Sequence, residues 1–355
     1  MSKKTKVGLI FGGRSAEHEV SLVSAAAVYK NLDPNKYKVI SIYIRKEGTW
    51  EIVESPLLPD REPTREQARS FLPWGNPGLD QTPAPDIYFP VLHGPYGEDG
   101  TIQGLLEMAD VPYVGAGVLA SAVGMDKALS KALFEMRGLP VVPYRVLFEP
   151  EWKRERKSLV EGILKELPFP VFVKPSNLGS SVGISKVKSP GDIEAAIDLA
   201  FRFDRKAIVE EGIQGREFEC SVLGNDRPAA SLPGEVIPYR EFYDYRDKYL
   251  DGKTGFVIPA KLSAALISEI QRLAVSAFSA IDGAGMARVD FFYAEGPGKL
   301  YLNEINTIPG FTEISMYPRL WEESGLPFPA LMDRLIELGF ERHERKKRCV
   351  SWNTS

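Results

Sequence analysis

The stretch Lys6 to Phe11 is apolar after its first residue, a pattern that predicts a strand buried on both faces. Gly12-Gly13-Arg14-Ser15 interrupts it, and Ala16 to Leu32 then shows a helical period with Ser15 placed as its cap. Tyr37 to Ile44 is a second strand, and Asp86 to Leu92 another, running into the glycine-dense loop His93 to Gly100 and a helix over Thr101 to Ala109. This alternation predicts an open α/β sheet whose ligand crevice lies at the carboxyl ends of its strands. Between them, Glu54 to Asp86 is rich in proline and polar residues with little periodicity, which reads as an insertion or long loop.

Further on, Ser121 to Arg137 has the period of one helix carrying Asp126-Lys127, ended by Pro140, and a composition change there suggests a domain boundary. Strands over Phe169 to Lys174 and Ile184 to Val187 flank the small-residue run Ser176 to Gly183. Such a run is either a hairpin or a nest of backbone N–H groups open to a polyphosphate. Ala207 to Glu211 is a strand ending in two acids, and Gly215 to Glu219 opens the next.

The richest segment is Gly283 to Gly310, which reads as one β-hairpin turning at Glu295 to Lys299. Side chains in a strand repeat every two residues, so Arg288 and Asp290 share a face, as do Glu304 and Asn306. The positions between them are apolar on both strands (Val289, Phe291, Leu300, Leu302, Ile305). One face is therefore core and the other polar, with Asp290 folded close to Glu304. Two convergent carboxylates repel unless a cation lies between them, and a set of two carboxylates and an amide oxygen suits Mg2+, which leaves coordination positions for substrate phosphates.

At 355 residues and 44% hydrophobic content the chain is long enough for two or three domains with real cores. A net charge of -4 and no basic stripe argue against nucleic acid. Val7 to Phe11 is too short for a signal-peptide core and no stretch approaches a membrane span, so a cytoplasmic protein is expected. Cys220 and Cys349 have no spaced partners for zinc or a disulfide framework. Gly12-Gly13 is not a dinucleotide fingerprint, and nothing matches a P-loop. Glu17, at the start of the first helix, either complements the helix dipole or holds a substrate ammonium. His93 is either a structural hydrogen-bonder or a substrate contact.

Lys127, Lys174-Pro175, the Ser-rich glycine loop, Glu210-Glu211, Arg288-Val289-Asp290 and Glu304-Ile305-Asn306 together resemble the ATP-grasp superfamily. Gly12-Gly13-x-Ser15-Ala16-Glu17, Leu92-His93-Gly94, Gly97-Glu98-Asp99-Gly100 and Asn306 to Thr312 narrow the resemblance to the D-alanine–D-alanine ligase family, over about Val7 to Leu338. The implied fold is mixed α/β and α+β: an N-terminal open α/β sheet followed by a two-lobed ATP-grasp module that clamps ATP between β-sheets. The expected divisions are an N-terminal domain at 1–122, a central lobe at 123–222, a C-terminal lobe with an ω-loop and the metal hairpin at 223–340, and a polar tail at 341–355. In that tail Arg345-Lys346-Lys347-Arg348 is read as a solvated helix end.

The resemblance also implies roles. Lys127, Lys174, Ser180, Ser181 and Lys248 would contact the phosphates, with Glu210, Glu211 and the backbone through Ile213 at adenine and Glu217 at the ribose. Asp290, Glu304 and Asn306 would hold two Mg2+ (or Mn2+) ions that share Glu304. Arg288 and the Gly310 amide would stabilise the oxyanion, Glu17 would bind the first amine, and His93 would lie beside it. Ser315, with Met316 next to it, would bind the second carboxylate. Tyr249 on the ω-loop would link through Ser180 to Glu17. The implied reaction joins two D-alanines through a D-alanyl phosphate for peptidoglycan precursors, with ATP and D-alanine as partners and a homodimer as the assembly. A D-alanine–D-lactate ligase, another ATP-grasp carboxylate–amine ligase and a non-enzymatic ATP-binding regulator are the alternatives.

Overall fold

The structure, a computed structural model, describes residues 3–56, 69–70, 84–179, 182–238 and 254–346. Ser180, Ser181, Lys248, Tyr249, Cys349 and residues 347–355 lie outside the described residues, as does most of the stretch Glu54 to Asp86.

The first sheet has the order β4-β3-β2-β1-β5. Its centre, β1 (Thr5–Gly12), pairs in parallel with β2 (Tyr37–Ile44) and β5 (Ile87–Val91), while β3 (Trp50–Val53) and β4 (Arg69–Ser70) extend it antiparallel. The apolar run of β1 is continuous because both faces are covered. Val7, Leu9 and Phe11 join one core with Leu22, Ala25 and Val28 of α1 (His18–Asn31), and Ile10 joins another with Ile102 and Leu106 of α2 (Thr101–Met108). Each of these side chains larger than alanine contributes roughly 1.5–3 kcal/mol relative to exposure.

Two helices differ from the periodicity. α1 starts at His18, not Ala16, because Ser15 Oγ donates to His93 O (2.6 Å) and accepts from Glu17 N (3.1 Å), which makes residues 15–17 a turn. Glu17 thereby moves to the N-cap, at the carboxyl end of the sheet. The expected single helix over Ser121 to Arg137 is two, α3 (Val118–Met125) and α4 (Lys127–Met136). Asp126 between them is extended, and its Oδ1 accepts from Ala128 N and Leu129 N, both at 3.1 Å. An N-cap of this kind is worth ~1 kcal/mol, and the helical period runs through it unseen.

The second sheet, β6 (Tyr144–Phe148), β9 (Lys206–Glu211), β7 (Val171–Pro175) and β8 (Ser185–Val187) in spatial order, is antiparallel. Trp152 and Ile163 of α5 (Glu149–Glu166) and Ile197 of α6 (Ile193–Ala200) pack on it with Val171 and Val209. The third sheet runs β13 (Gly255–Val257), β12 (Gly234–Ile237), β10 (Arg216–Gly224), β14 (Gly285–Ala294), β15 (Lys299–Asn306), with β11 (Ala229–Ala230) paired to β10. Ile270, Leu273 and Phe278 of α7 (Ala264–Ala280) close its core against Val289, Leu302 and Ile305. β10 crosses the division expected at 222/223 and pairs with β14 along its whole length.

After α8 (Met316–Glu323), α9 (Phe328–Lys346) returns to the first sheet, where Leu331, Leu335 and Ile336 join the core of Val7 and Leu9. The chain is helical to Lys346, beyond the expected start of a polar tail. Arg345 and Lys346 end this helix exposed to solvent, where they pair with Asp226 and Glu107.

The hairpin of β14 and β15 carries one feature that strict alternation does not give. Asp290 faces Glu304, yet Phe291 faces Leu302, so Asn303 is the extra residue of a β-bulge. The bulge is what lets Leu300, Leu302 and Ile305 share the core although Ile305 differs from the leucines in parity.

Candidate active site

The bulged hairpin places Arg288 opposite Asn306 and Asp290 opposite Glu304. Arg288 binds both oxygens of Asp290, Nε to Oδ1 at 2.7 Å and Nη2 to Oδ2 at 2.6 Å, and its Nε lies 3.0 Å from Glu219 Oε2 on the adjacent strand β10. Burial works against the guanidinium charge, but Asp290 and Glu219 outweigh it and lift the group further above its ordinary range. Asn306 Nδ2 stands 3.3 Å from Asp290 Oδ2, and Glu304 Oε2 stands 3.4 Å from Lys127 Nζ. Hard oxygen donors on facing residues fit a divalent cation. Among the described residues no group of three or more His, Cys, Asp and Glu could hold a metal. Asp290 and Glu304 are two facing carboxylates with the Asn306 amide beside them, so an ion held there would take its remaining ligands from phosphate oxygens or water.

Lys127, the first residue of α4, also donates to Leu178 O at 2.7 Å, which joins it to the small-residue loop. Lys174, on β7, pairs with Glu210 Oε2, and Lys131, one turn into α4, lies 3.0 Å from Glu210 Oε1. Burial alone would raise the Glu210 carboxyl, but the charges of Lys131 and Lys174 bring it down to about 2.

At the other end of the site, Glu17 sits against two glycines of different loops. A Cβ on Gly94, whose φ is +72°, would come within 2.5 Å of Glu17 Oε2, and one on Gly179 within 3.1 Å. Gly94 thus supplies both the left-handed turn and the clearance for the carboxylate. His93 has both ring nitrogens engaged: Nδ1 lies 3.1 Å from Ile308 O and Nε2 3.1 Å from Ser24 Oγ. A carbonyl only accepts, so Nδ1 carries the proton and Nε2 receives the Ser24 hydroxyl; burial holds the ring below its ordinary pKa and neutral. Glu98 Oε2 accepts from Gly94 N at 2.6 Å, and burial followed by the charge of Glu17 pushes its carboxyl up to about 8. Ser315 Oγ accepts from Thr312 N (3.0 Å) and lies where a Cβ on Gly310 would approach to 2.8 Å. Gly310 and Ser315 are thereby neighbours at the start of α8, with Met316 buried behind them beside Val236 and Leu320.

Two cavities meet here. One, about 650 Å³, is lined by Glu17, His93, Arg288, Gly310 and Ser315. The other, about 980 Å³, lies between the second and third sheets and is lined by Lys174, Glu210, Glu211, Ile213, Glu217 and Asp290. Lys127, Glu219 and Glu304 line both.

Against this geometry, the family model described as D-ala D-ala ligase N-terminus matches residues 6–116 and the one described as D-ala D-ala ligase C-terminus matches 133–337. The chain belongs to the D-alanine–D-alanine ligase family. It is 49% identical to a D-alanine–D-alanine ligase of Geobacillus kaustophilus over 97% of each chain. The structure of the D-alanine–D-alanine ligase from Coxiella burnetii superposes with a TM-score of 0.88 at 38% identity, covering 98% of this chain and 97% of that one. The VanG D-Ala:D-Ser ligase of Enterococcus faecalis superposes with a TM-score of 0.84 at 35% identity, covering 95% of this chain and all of that one. The ATP-grasp architecture expected from the motifs is the fold of these relatives.

Three buried ionisable side chains of the site carry no role implied by the motifs. Glu219 shares Arg288 with Asp290, Glu98 holds the loop around Glu17, and Lys131 stands behind Glu210. Glu219 was within reach of pattern reasoning, since it shares parity with Glu217 on a strand beside Asp290. Lys131 was not, because a lysine four residues after Lys127 reads as the exposed side of a helix.

Proposed function

We propose that the chain joins two molecules of D-alanine into D-alanyl-D-alanine, converting ATP to ADP and phosphate, with D-alanyl phosphate as the intermediate. The observation that carries this reading is the junction of the two cavities at Lys127, Glu219 and Glu304. A nucleotide in the larger cavity directs its terminal phosphate toward that junction, and an amino acid in the smaller one meets it there.

Each side chain has a chemical task in this scheme. Glu17 pairs with the ammonium of the first D-alanine and leaves its carboxylate to attack the γ-phosphorus. Lys127 and Lys174 offset the negative charge of the phosphates, and with Ser180, Ser181 and Lys248 they form the phosphate set. Glu210, Glu211 and the backbone through Ile213 hold adenine, and Glu217 holds the ribose. The amine of the second D-alanine attacks the acyl carbon; Arg288 and the Gly310 amide bear the charge that develops on the carbonyl oxygen. Ser315 holds the second carboxylate, Met316 packs beneath it, and Tyr249, through Ser180 and Glu17, closes the site. His93, with both nitrogens engaged, keeps the Ile308 carbonyl and Ser24 in place, and so orients the Gly310 loop without touching the reacting atoms. Asp290, Glu304 and Asn306 would hold the two Mg2+ or Mn2+ ions, which when bound would supply positive charge to the phosphate oxygens.

The divisions are read as 1–122, 123–222 and 223–340, except that β10 (Arg216–Gly224), most of which precedes 223, belongs with the third sheet of the C-terminal lobe. The cytoplasm is the expected compartment; among the described residues no helix is long and apolar enough to cross a membrane. A homodimer is the expected assembly, which sedimentation would test. Phosphate release measured with D-alanine, D-serine, D-lactate and L-alanine tests the activity: release with D-alanine far above the others is expected, and preference for D-serine or D-lactate as second substrate would reassign the chain.

A further inference from the structure

Lys131 is 1% exposed, and its ammonium lies 3.0 Å from an oxygen of Glu210, itself 2% exposed. Lys174 takes the other oxygen. Lys174 and Glu210 line the larger cavity, whereas Lys131 does not. It stands behind the carboxylate, reached from α4, and bears on the cavity through Glu210. Burying an ammonium costs several kcal/mol unless it is paired, and an apolar residue of similar length would fill the same space. Its charge therefore calls for a purpose beyond packing.

We infer that Lys131 is a positioning residue for nucleotide choice: it fixes Glu210 as an ionised, acceptor-only carboxylate that accepts a hydrogen bond from the 6-amino group of adenine and repels the 6-oxo group of guanine or hypoxanthine. The inference rests on the proposal that Glu210 faces the purine. An ionised carboxylate accepts hydrogen bonds and donates none, whereas a protonated carboxyl or an amide can do both. A site that hydrogen-bonds one partner group rejects the analogue that leaves its polar atoms unpaired. Of the charged groups facing Glu210, Lys174 on β7 is the one a bound nucleotide's phosphates would draw on, Glu304 on β15 adds negative charge beyond the lysines, and Tyr144 is the register partner on β6. Lys131 is the cation that the nucleotide does not share. Without it, burial favours the neutral carboxyl, which can donate to a 6-oxo group.

The test compares ATP with inosine triphosphate in the parent, Glu210→Gln, Lys131→Met and the double variant, through kcat/KM at saturating D-alanine. Glu210→Gln is expected to narrow the preference for ATP by about tenfold or more, because the amide offers a donor. Lys131→Met is expected to narrow it by about tenfold, mainly through a higher KM for ATP with kcat less affected, and to add nothing in the Glu210→Gln background. Lys131→Gln keeps a donor but removes the charge; it carries the same expectation and replaces the Met variant if that one does not fold. An unchanged preference in Glu210→Gln would remove Glu210 from the base and the assignment beneath the inference. A narrowed preference in Glu210→Gln with none in the Lys131 variants, or equal loss for both nucleotides in the latter, would overturn the role of Lys131 itself.

Discussion

Arg288 holds Asp290 by both carboxylate oxygens, at 2.7 and 2.6 Å, while Glu219 takes the same guanidinium at 3.0 Å from the other strand. Arg288, proposed as the oxyanion donor, and Asp290, proposed as a metal ligand, are thus one bidentate pair in this structure. A divalent cation at Asp290 would compete with that pair, and Glu219, 3.0 Å from the guanidinium, would retain the arginine.

Arg288→Ala is expected to lower kcat by on the order of 10² to 10³, with a smaller change in ATP affinity, because the donor acts on charge that exists in the transition state. It also leaves Asp290 and Glu219 without their shared cation. The variant should melt below the parent in the absence of divalent ions and recover a larger share of its Tm with Mg2+ than the parent does. Lost ATP binding with kcat preserved would make Arg288 a nucleotide residue instead.

For Glu304→Gln, turnover should vanish while the fold stays intact, since the change removes a charge at the junction of the two cavities and no core packing. Circular dichroism and melting should match the parent closely. Turnover within a few-fold of the parent at saturating Mg2+ would take Glu304 out of the metal set.

The outline of the molecule was legible because its strands are largely apolar runs bounded by turn residues: β1, β2, β5, β7 and β9 fall within a residue or two of the expected runs. The hairpin's polar face could be read from parity, but its bulge could not, because one extra residue at Asn303 changes parity without leaving a composition signal. The split at Asp126 was hidden for a related reason, since capping depends on where the chain turns and not on which residues follow. Long-range placement was the least legible. Nothing in the sequence of α9 says that Leu331 and Leu335 pack on β1, or that Lys131 faces Glu210 some eighty residues later.

Glu98 gives a pH signature whose sign follows from linkage. Burial pushes its carboxyl up to about 8, so between the ordinary carboxylate range and that value the folded chain holds a proton that the unfolded chain has lost. Its contribution to stability is therefore present at low pH and is lost as pH rises through about 8. Glu98→Gln keeps an acceptor for Gly94 N and cannot ionise. The Tm of this variant minus that of the parent should become more positive from pH 6 to 8.5, a comparison in which the buried His93 cancels. A difference that is flat or of opposite slope would show that Glu98 is ionised in the folded protein.

The central claim is that the carboxylate of one D-alanine attacks the terminal phosphate of ATP before the second amine attacks carbon. D-alanine labelled with 18O in its carboxylate tests it directly, because the oxygen that bonds to phosphorus leaves with the phosphate when the amide forms. Mass spectrometry of the products should find D-alanyl-D-alanine together with one labelled oxygen in each inorganic phosphate. Unlabelled phosphate, label in AMP, or the absence of the dipeptide would contradict the account.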